Sequence, residues 1–175
     1  MSSKRDPAML AEEAKREFGI GNYPSALEKF RQAADLYTEL GDASNHAEQM
    51  NNVGVTLLQM GRAGEALDAV NGTDGVFAVA GDVRRQGIAL NNQAAARDAL
   101  GELDAATELY GRAARMLGDA GERGMQSEAL KAAAAIDLRR GKIASAGSGM
   151  LGSLVSNPKP NLLERVLKAL LRRVG

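Results

Sequence analysis

Glycine recurs once every 20 residues along most of this chain. The positions are Gly21, Gly41, Gly61, Gly81, Gly101, Gly121 and Gly141. Glycine is the usual residue just beyond the C-terminus of a helix, because it adopts the left-handed backbone conformation without a steric cost. A glycine at every twentieth position therefore predicts a regular alternation of helices and turns, and hence an internal repeat.

Matches at a spacing of 40 residues indicate that the repeating unit is a pair of helices. Small residues recur in the first helix of each pair, at Ala14, Gly54, Ala94 and Ala134. A second series lies in the other helix, at Ala26, Ala66, Ala106 and Ala146. Two antiparallel helices approach closely only where neither carries a bulky side chain. The two series therefore predict a close crossing within every pair.

The 40-residue period also separates two kinds of glycine. Four of them turn the chain between the helices of one pair, namely Gly21, Gly61, Gly101 and Gly141, and the other three join successive pairs. We expect one repeat domain over residues 1–155. Its units are placed at about 7–40, 45–80, 85–120 and 125–155.

One segment departs from the helical pattern. Residues 71–75, with the sequence Asn-Gly-Thr-Asp-Gly, fall inside the helix predicted for residues 63–80. Asn-Gly and Asp-Gly are typical turn dipeptides. Because the 40-residue phase continues unbroken across them, we favour a continuous but weak or kinked helix over an excursion of the chain.

These features resemble the tetratricopeptide repeat family. The resemblance lies in the small residue of the first helix, the turn glycine, the second-helix alanine, and the bulky Phe30 and Tyr110. The usual period of the family is 34 residues. The 40-residue period and the sequences at 50–54 and 90–94 resemble the longer units of kinesin light chains and of the Leu-Gly-Asn repeat regulators. The resemblance implies an all-α, right-handed superhelical solenoid of antiparallel helix pairs.

The composition argues against several classes of function. The chain has no cysteine, which excludes disulfides and Cys-bearing metal sites. Its single histidine, His46, has no second histidine for a metal site, and no catalytic constellation or phosphate-binding glycine motif is visible. The 22 basic residues balance the 22 acidic ones, whereas a general nucleic-acid binder needs a basic face. We expect no enzymatic activity, no cofactor, no bound metal and no nucleic-acid partner.

The sequence also carries a prediction of location. The N-terminus lacks an apolar signal region, and no uninterrupted apolar run approaches the ~20 residues of a membrane span. The lack of cysteine is compatible with a reducing compartment. We therefore expect a cytoplasmic protein.

Two asparagine pairs are the main candidates for a binding site. Asn51-Asn52 recurs one unit later as Asn91-Asn92. The first helix of each unit lines the inner surface of a curved solenoid, so Asn52 and Asn92 would form a short ladder along a groove. An amide both donates and accepts hydrogen bonds and can pair with the backbone of an extended peptide. The resemblance to kinesin light chains implies the same use. The alternative is that Asn51 and Asn91 only bond to inter-helix turns or water.

Charged and polar residues on the same helical faces would flank this groove, namely Glu48, Gln59, Lys131 and Arg139. Lys131 replaces asparagine in the last full unit and would favour an acidic ligand residue there. Arg97 and Asp137 occupy equivalent places in adjacent units, and we expect an ion pair between them.

The end of the chain has a different composition. Residues 147–160 are rich in Gly, Ser and Pro, as in a linker, and the linker between domains is placed at 156–160. Residues 161–174 are predicted to form a basic amphipathic helix. The last 20 residues carry a net charge of +4 and the preceding 155 residues −4. Three interpretations stay open: the helix covers the repeat's own surface, docks into another copy or a partner, or lies on an anionic membrane.

Together these features predict a protein-interaction adaptor that binds an extended peptide or a helix in its concave groove. Two alternatives depend on the C-terminal helix. One is self-assembly into a homo-oligomeric scaffold, and the other is recruitment to a membrane surface.

Overall fold

The computed structural model describes residues 6–160 and Arg165, and all regular structure in this part of the chain is helical. The helices are α1 (Pro7–Gly19), α2 (Tyr23–Glu39), α3 (Ala43–Gln59), α4 (Ala63–Val70), α5 (Thr73–Val79), α6 (Val83–Ala99), α7 (Leu103–Asp119), α8 (Arg123–Arg139) and α9 (Ile143–Ser156). Sequential helices pack against each other, except where α4 and α5 share the place of one helix and both contact α3 and α6. The predicted all-α solenoid of helix pairs is confirmed.

Each predicted turn glycine has a left-handed backbone. The seven glycines of the 20-residue series have φ between 70° and 80°. In each turn, the amide of the residue after the glycine donates to a carbonyl five residues back, as in Asn22 to Glu17 at 2.9 Å and Lys142 to Asp137 at 2.8 Å. This bond closes the last helical turn and satisfies carbonyls that the helix leaves unpaired. The prediction that these glycines end the helices is confirmed.

An aspartate caps the first helix of three units, namely Asp6 before α1, Asp42 before α3 and Asp82 before α6. Asp42 accepts a hydrogen bond from the backbone amide of Asn45, and Asp82 accepts one from the amide of Arg85. These backbone N–H donors are the main cause that lowers the pKa of both carboxyl groups. Such caps stabilise a helix start by about 1 kcal/mol. At the equivalent place before α8, Glu122 makes no cap and instead pairs with Arg84.

The predicted small residues of each pair lie in the interior of the solenoid. All members of the two series are buried, namely Ala14, Gly54, Ala94 and Ala134 in the first helices and Ala26, Ala66, Ala106 and Ala146 in the second. At the α3–α4 crossing, a Cβ added to Gly54 would lie only 2.3 Å from Val70 Cγ1. A larger residue fits there only if the Val70 side chain or α4 itself shifts. The predicted small residues are therefore buried in every pair, and at α3–α4 the predicted close crossing is confirmed.

The core is a row of clusters along the solenoid. One cluster, which includes Phe30, Val53 and Leu57, joins the first two units and reaches α6 of the third through Ala96. Another joins the last two units and includes Tyr110 and Ile136. Each cluster draws on neighbouring helices only, as expected of a thin stack of repeats.

The prediction of a continuous helix over residues 63–80 is wrong. Helix α4 ends at Val70, Asn71 is extended, and Gly72 has a φ of 78° before α5 begins. The carbonyl of Val70 would lose its helical partner at this break. It accepts instead from the hydroxyl of Thr73 at 2.8 Å and from the side-chain amide of Gln93 at 3.2 Å. Gln93 belongs to α6, so a residue of the next unit stabilises the break.

The predicted ion pair between Arg97 and Asp137 is not among the contacts of the described residues. Arg97 pairs with Glu102, at the start of the second helix of its own unit. Asp137 is buried and accepts a hydrogen bond from the hydroxyl of Ser145, in the second helix of its own unit. Both side chains therefore contact a residue of their own unit. For this reason the two side chains do not meet across the unit boundary.

The last part of the repeat is helical, although its composition suggests a linker. Helix α9 runs from Ile143 to Ser156, so residues 147–156 are helical despite their glycines and serines. Gly149 and Gly152 lie against α8, where an added Cβ would come within 3.1 Å of Ala134 Cβ and 3.2 Å of Leu130 Cδ1. The glycines here allow close packing. The amphipathic helix predicted for 161–174 lies outside the described residues, apart from Arg165.

Candidate binding groove

A pocket of about 260 Å³ lies between α3 and α6, with one residue of α5 in its wall. The residues that line it are Glu48, Asn51, Asn52, Val55, Phe77, Arg84, Arg85, Ile88 and Asn92. Those of α3 and α6 recur three, four or seven positions apart, so each set lies on one face of its helix. The first helices of the second and third units thus supply most of the surface.

A smaller pocket of about 120 Å³ continues this surface toward the first unit. It is lined by Lys15, Phe18, Phe30, Asn52 and Val55. Asn52 and Val55 belong to both pockets, so α3 lies between them. We call the two pockets together the groove.

Two of the three asparagine amides in the groove are joined by hydrogen bonds, and the third bonds separately within α3. Asn51 Nδ2 donates to the backbone carbonyl of Ala47 at 2.9 Å. Asn92 Nδ2 donates to Asn51 Oδ1 at 3.0 Å, across the boundary between two units. Asn52 Nδ2 donates to Gln49 Oε1 at 3.2 Å within α3. Each amide can donate two hydrogen bonds and accept two. Asn52 and Asn92 therefore keep unused capacity at the surface of the larger pocket.

The structure brings together only some of the predicted site residues. Asn51, Asn52, Asn92 and Glu48 all line the larger pocket. Asn91, Gln59, Lys131 and Arg139 are not among the residues that line either pocket. Whether any of these residues binds a peptide stays a prediction.

Two of the predicted flanking cations already have acidic partners. Lys131 pairs with Glu128 at 3.0 Å within α8. Arg139 pairs with Asp98 at 2.5 Å and so links α8 to α6. An ion pair does join these two units, but its residues lie one position after Arg97 and two positions after Asp137, the pair that the sequence suggested.

Arg85 connects the wall of the larger pocket to three neighbours. Its guanidinium bonds to Asp82 at 2.6 Å and to Glu48 at 3.3 Å, and its carbon Cζ lies 5.1 Å from the ring centre of Phe77. The hydrogen bond to Asp82 is the main cause that raises the pKa of Arg85. Arg84 pairs with Glu122 at 2.5 Å. Every charged side chain of this pocket therefore has a partner of opposite charge.

Sequence reasoning missed the apolar part of the groove, formed by Val55, Phe77 and Ile88. Helical spacing from the asparagines would have found two of these residues. Val55 lies three positions after Asn52, and Ile88 lies four before Asn92, which places each on the same helical face as its asparagine. Phe77 gives no such signal, because its place depends on the break between α4 and α5.

The part of the chain that the structure describes has neither a metal-binding cluster nor a membrane-spanning helix. No group of three or more His, Asp or Glu side chains is arranged to hold a metal ion. No helix among residues 6–160 is both long and apolar enough to span a membrane.

The comparisons with known proteins identify the fold. No protein-family model matches the sequence, and no curated protein matches it. Solved structures of tetratricopeptide-repeat proteins do match the fold. BtubC (BKLC) from P. vanneervenii is 17% identical, with a TM-score of 0.77 over 90% of this chain and 70% of that one.

A second similar protein is MamA. Residues 41 to the end of MamA from Desulfovibrio magneticus RS-1 are 18% identical, with a TM-score of 0.67 over 87% of this chain and 76% of that one. A double mutant of MamA from RS-1 gives 18% and 0.66 over 88% and 76%. The chain therefore has a tetratricopeptide-repeat-like fold. Its assignment to the 40-residue variety stays a prediction.

Proposed function

We propose that this chain is a non-enzymatic adaptor that holds an extended peptide segment of a partner protein in the groove. The observation that carries the proposal is that two asparagines one unit apart, Asn52 and Asn92, line the same pocket with unused hydrogen-bonding capacity. An extended peptide presents backbone N–H and C=O groups along its edge. Amides can bind these groups whatever the side chains of the peptide are.

The remaining walls of the groove suit the same ligand. Val55 and Ile88 are half-buried and offer apolar surface for a peptide side chain, with the nearly buried Phe77 in the wall beside them. The charged residues of the larger pocket are neutralised by their partners within the chain. Recognition would therefore depend on backbone hydrogen bonds and apolar contact more than on the charge of the ligand.

The test uses peptides selected against the protein from a phage-displayed library of random sequences. The selected peptide is synthesised, and its affinity is measured by fluorescence anisotropy. We expect the double variant Asn52→Ala/Asn92→Ala to bind roughly ten- to hundredfold more weakly, since two or more hydrogen bonds are lost. Helix content should stay unchanged, and the melting temperature should fall only slightly, because the buried Asn51 Oδ1 loses the hydrogen bond from Asn92.

A matched control is available on the same two helices. Gln59→Ala/Asn91→Ala also removes one amide from α3 and one from α6, at positions outside both pockets. This variant should bind the peptide as tightly as the unmodified protein. Equal losses in the two double variants would contradict the proposed site. Failure of the library to yield any peptide that competes for one site would contradict the proposed function.

A further inference from the structure

Two hydrogen bonds in the groove link Asn92 to Asn51 and Asn51 to the backbone of Ala47. Which atom donates in each bond is fixed, because the bond to Ala47 ends at a backbone carbonyl. The carbonyl of Ala47 can only accept a hydrogen bond. The side-chain atom of Asn51 that lies 2.9 Å from it must therefore be the donor Nδ2. This turns the other end of the amide, Oδ1, away from Ala47. Because Asn51 is only 5% exposed, its amide has little freedom to turn over.

The orientation of the Asn51 amide in turn fixes that of the Asn92 amide. Asn51 Oδ1 can only accept, so the atom of Asn92 that lies 3.0 Å from it must be Nδ2. The Oδ1 of Asn92 is then the group that remains for a ligand in the pocket, together with the second N–H of Nδ2. Among the described residues, no hydrogen bond to Asn92 Oδ1 is present.

Asn52 has no comparable anchor. Its Nδ2 donates to Gln49 Oε1. Gln49 is only 3% exposed, but among the described residues its side-chain amide has no hydrogen bond to a backbone group that would fix which end faces Asn52. Asn52 can therefore present either its donor or its acceptor to a ligand. The two asparagines of the ladder are equivalent in sequence but differ in this respect.

We infer that Asn51 is a positioning residue that orients Asn92, so that Asn92 Oδ1 accepts a backbone N–H from the bound segment. This inference rests on the proposed function and adds a requirement for the ligand. The ligand residue opposite Asn92 must carry a backbone N–H, which excludes proline at that position. The residue opposite Asn52 has no such requirement.

The first measurement uses the protein without ligand. Nitrogen-15 relaxation of the side-chain amides should show Asn92 to be rigid, with an order parameter near that of ordered backbone, about 0.85. In Asn51→Ala the value for Asn92 should fall below about 0.6. The side-chain amide of Asn91, on the same helix but not in the pockets, should not change. An Asn92 amide that is mobile in the unmodified protein, or unaffected in the variant, overturns the inference.

The second measurement changes the ligand, so it does not depend on how the variants fold. Each backbone N–H of the selected peptide is replaced in turn by an ester oxygen, which removes a donor. One replacement should weaken binding about tenfold in the unmodified protein, the effect of one hydrogen bond. The same replacement should have no effect in Asn92→Ala. In Asn51→Ala it should have a reduced effect, because Asn92 is then no longer oriented.

The two measurements separate the possible failures. If a peptide binds in the groove but no ester replacement couples to Asn92, the inference is overturned and the proposed function stands. If no peptide binds, the proposed function is overturned, and with it the ligand requirement. In that case the relaxation measurement still decides whether Asn51 orients Asn92.

Discussion

Tyr110 shows how a single residue couples the core to the ion pair that joins two units. The side chain is 6% exposed and lies in the cluster of the last two units. Burial is the main cause that raises the pKa of its hydroxyl to about 12, and the carboxylate of Asp98 adds to the effect while Arg139 opposes it. The folded protein therefore keeps this hydroxyl neutral at a pH where an exposed tyrosine ionises.

This shift predicts a loss of stability at high pH. The unfolded chain releases the Tyr110 proton near pH 10, whereas the folded protein holds it until about pH 12. The contribution to the free energy of unfolding is therefore fully present below pH 10 and falls as the pH rises from 10 to 12. Urea unfolding across this range should show that the advantage of the unmodified protein over Tyr110→Phe shrinks as the pH rises. A constant difference would show that the hydroxyl ionises equally in both states.

At the scale of the helix, the break between α4 and α5 changes which residues form the groove. Gly72 adopts the left-handed conformation, and Gln93 of α6 satisfies the carbonyl of Val70 and also donates to Asp74 Oδ1 at 2.8 Å. Helix α5 then begins at Thr73 and places Phe77 in the wall of the larger pocket, where the side chain is 2% exposed. A continuous helix would place these residues differently, so the break is part of the construction of the site.

Two nearby glycines should therefore respond to alanine with opposite signs. Gly72→Ala forces a side chain into a left-handed backbone and should lower the free energy of unfolding by about 1–2 kcal/mol. Gly75 lies inside α5, and an added Cβ there would meet no atom within 4 Å. Gly75→Ala should raise the free energy of unfolding by about 0.5–1 kcal/mol. Thermal and urea unfolding measure both. Stabilisation by both substitutions would indicate that the helix is continuous in solution.

At the scale of the whole molecule, burial at a repeat position depends on the unit that follows. Phe30, Val70 and Tyr110 occupy equivalent positions 40 residues apart and are between 1% and 6% exposed. The next residue in the series, Met150, is 49% exposed. Phe30 shares a cluster with residues of α3, and Tyr110 shares one with residues of α8. No unit follows α9 within the described residues, which is why the same position is open there.

This difference predicts unequal costs for the same truncation. Phe30→Ala should lower the free energy of unfolding by about 3–5 kcal/mol, because a large buried side chain leaves a cavity. Met150→Ala should lower it by about 1 kcal/mol or less, as for a substitution at a partly exposed site. Urea unfolding followed by circular dichroism measures both variants. An equally large loss at Met150 would show that this position is covered in solution.

Except at the break between α4 and α5, the sequence by itself determined where the helices end and where they cross. Both properties depend on local chemistry that a single residue carries. A glycine such as Gly61 turns left-handed wherever a helix must stop, and an alanine such as Ala94 allows a close approach wherever it lies. Because these preferences recur every 20 and 40 residues, the helix pairs and the solenoid could be predicted without any knowledge of tertiary contacts.

Only the tertiary structure decided how the units meet. The break at Gly72 is satisfied by Gln93, and the link between α6 and α8 is Asp98 with Arg139 instead of Arg97 with Asp137. The orientation of Asn92 likewise comes from Asn51, 41 residues away along the chain. Each of these depends on the rotation and offset of one helix against another. A shift of one residue turns a side chain by about 100°, so spacing in the sequence finds the right helix face but does not find the partner.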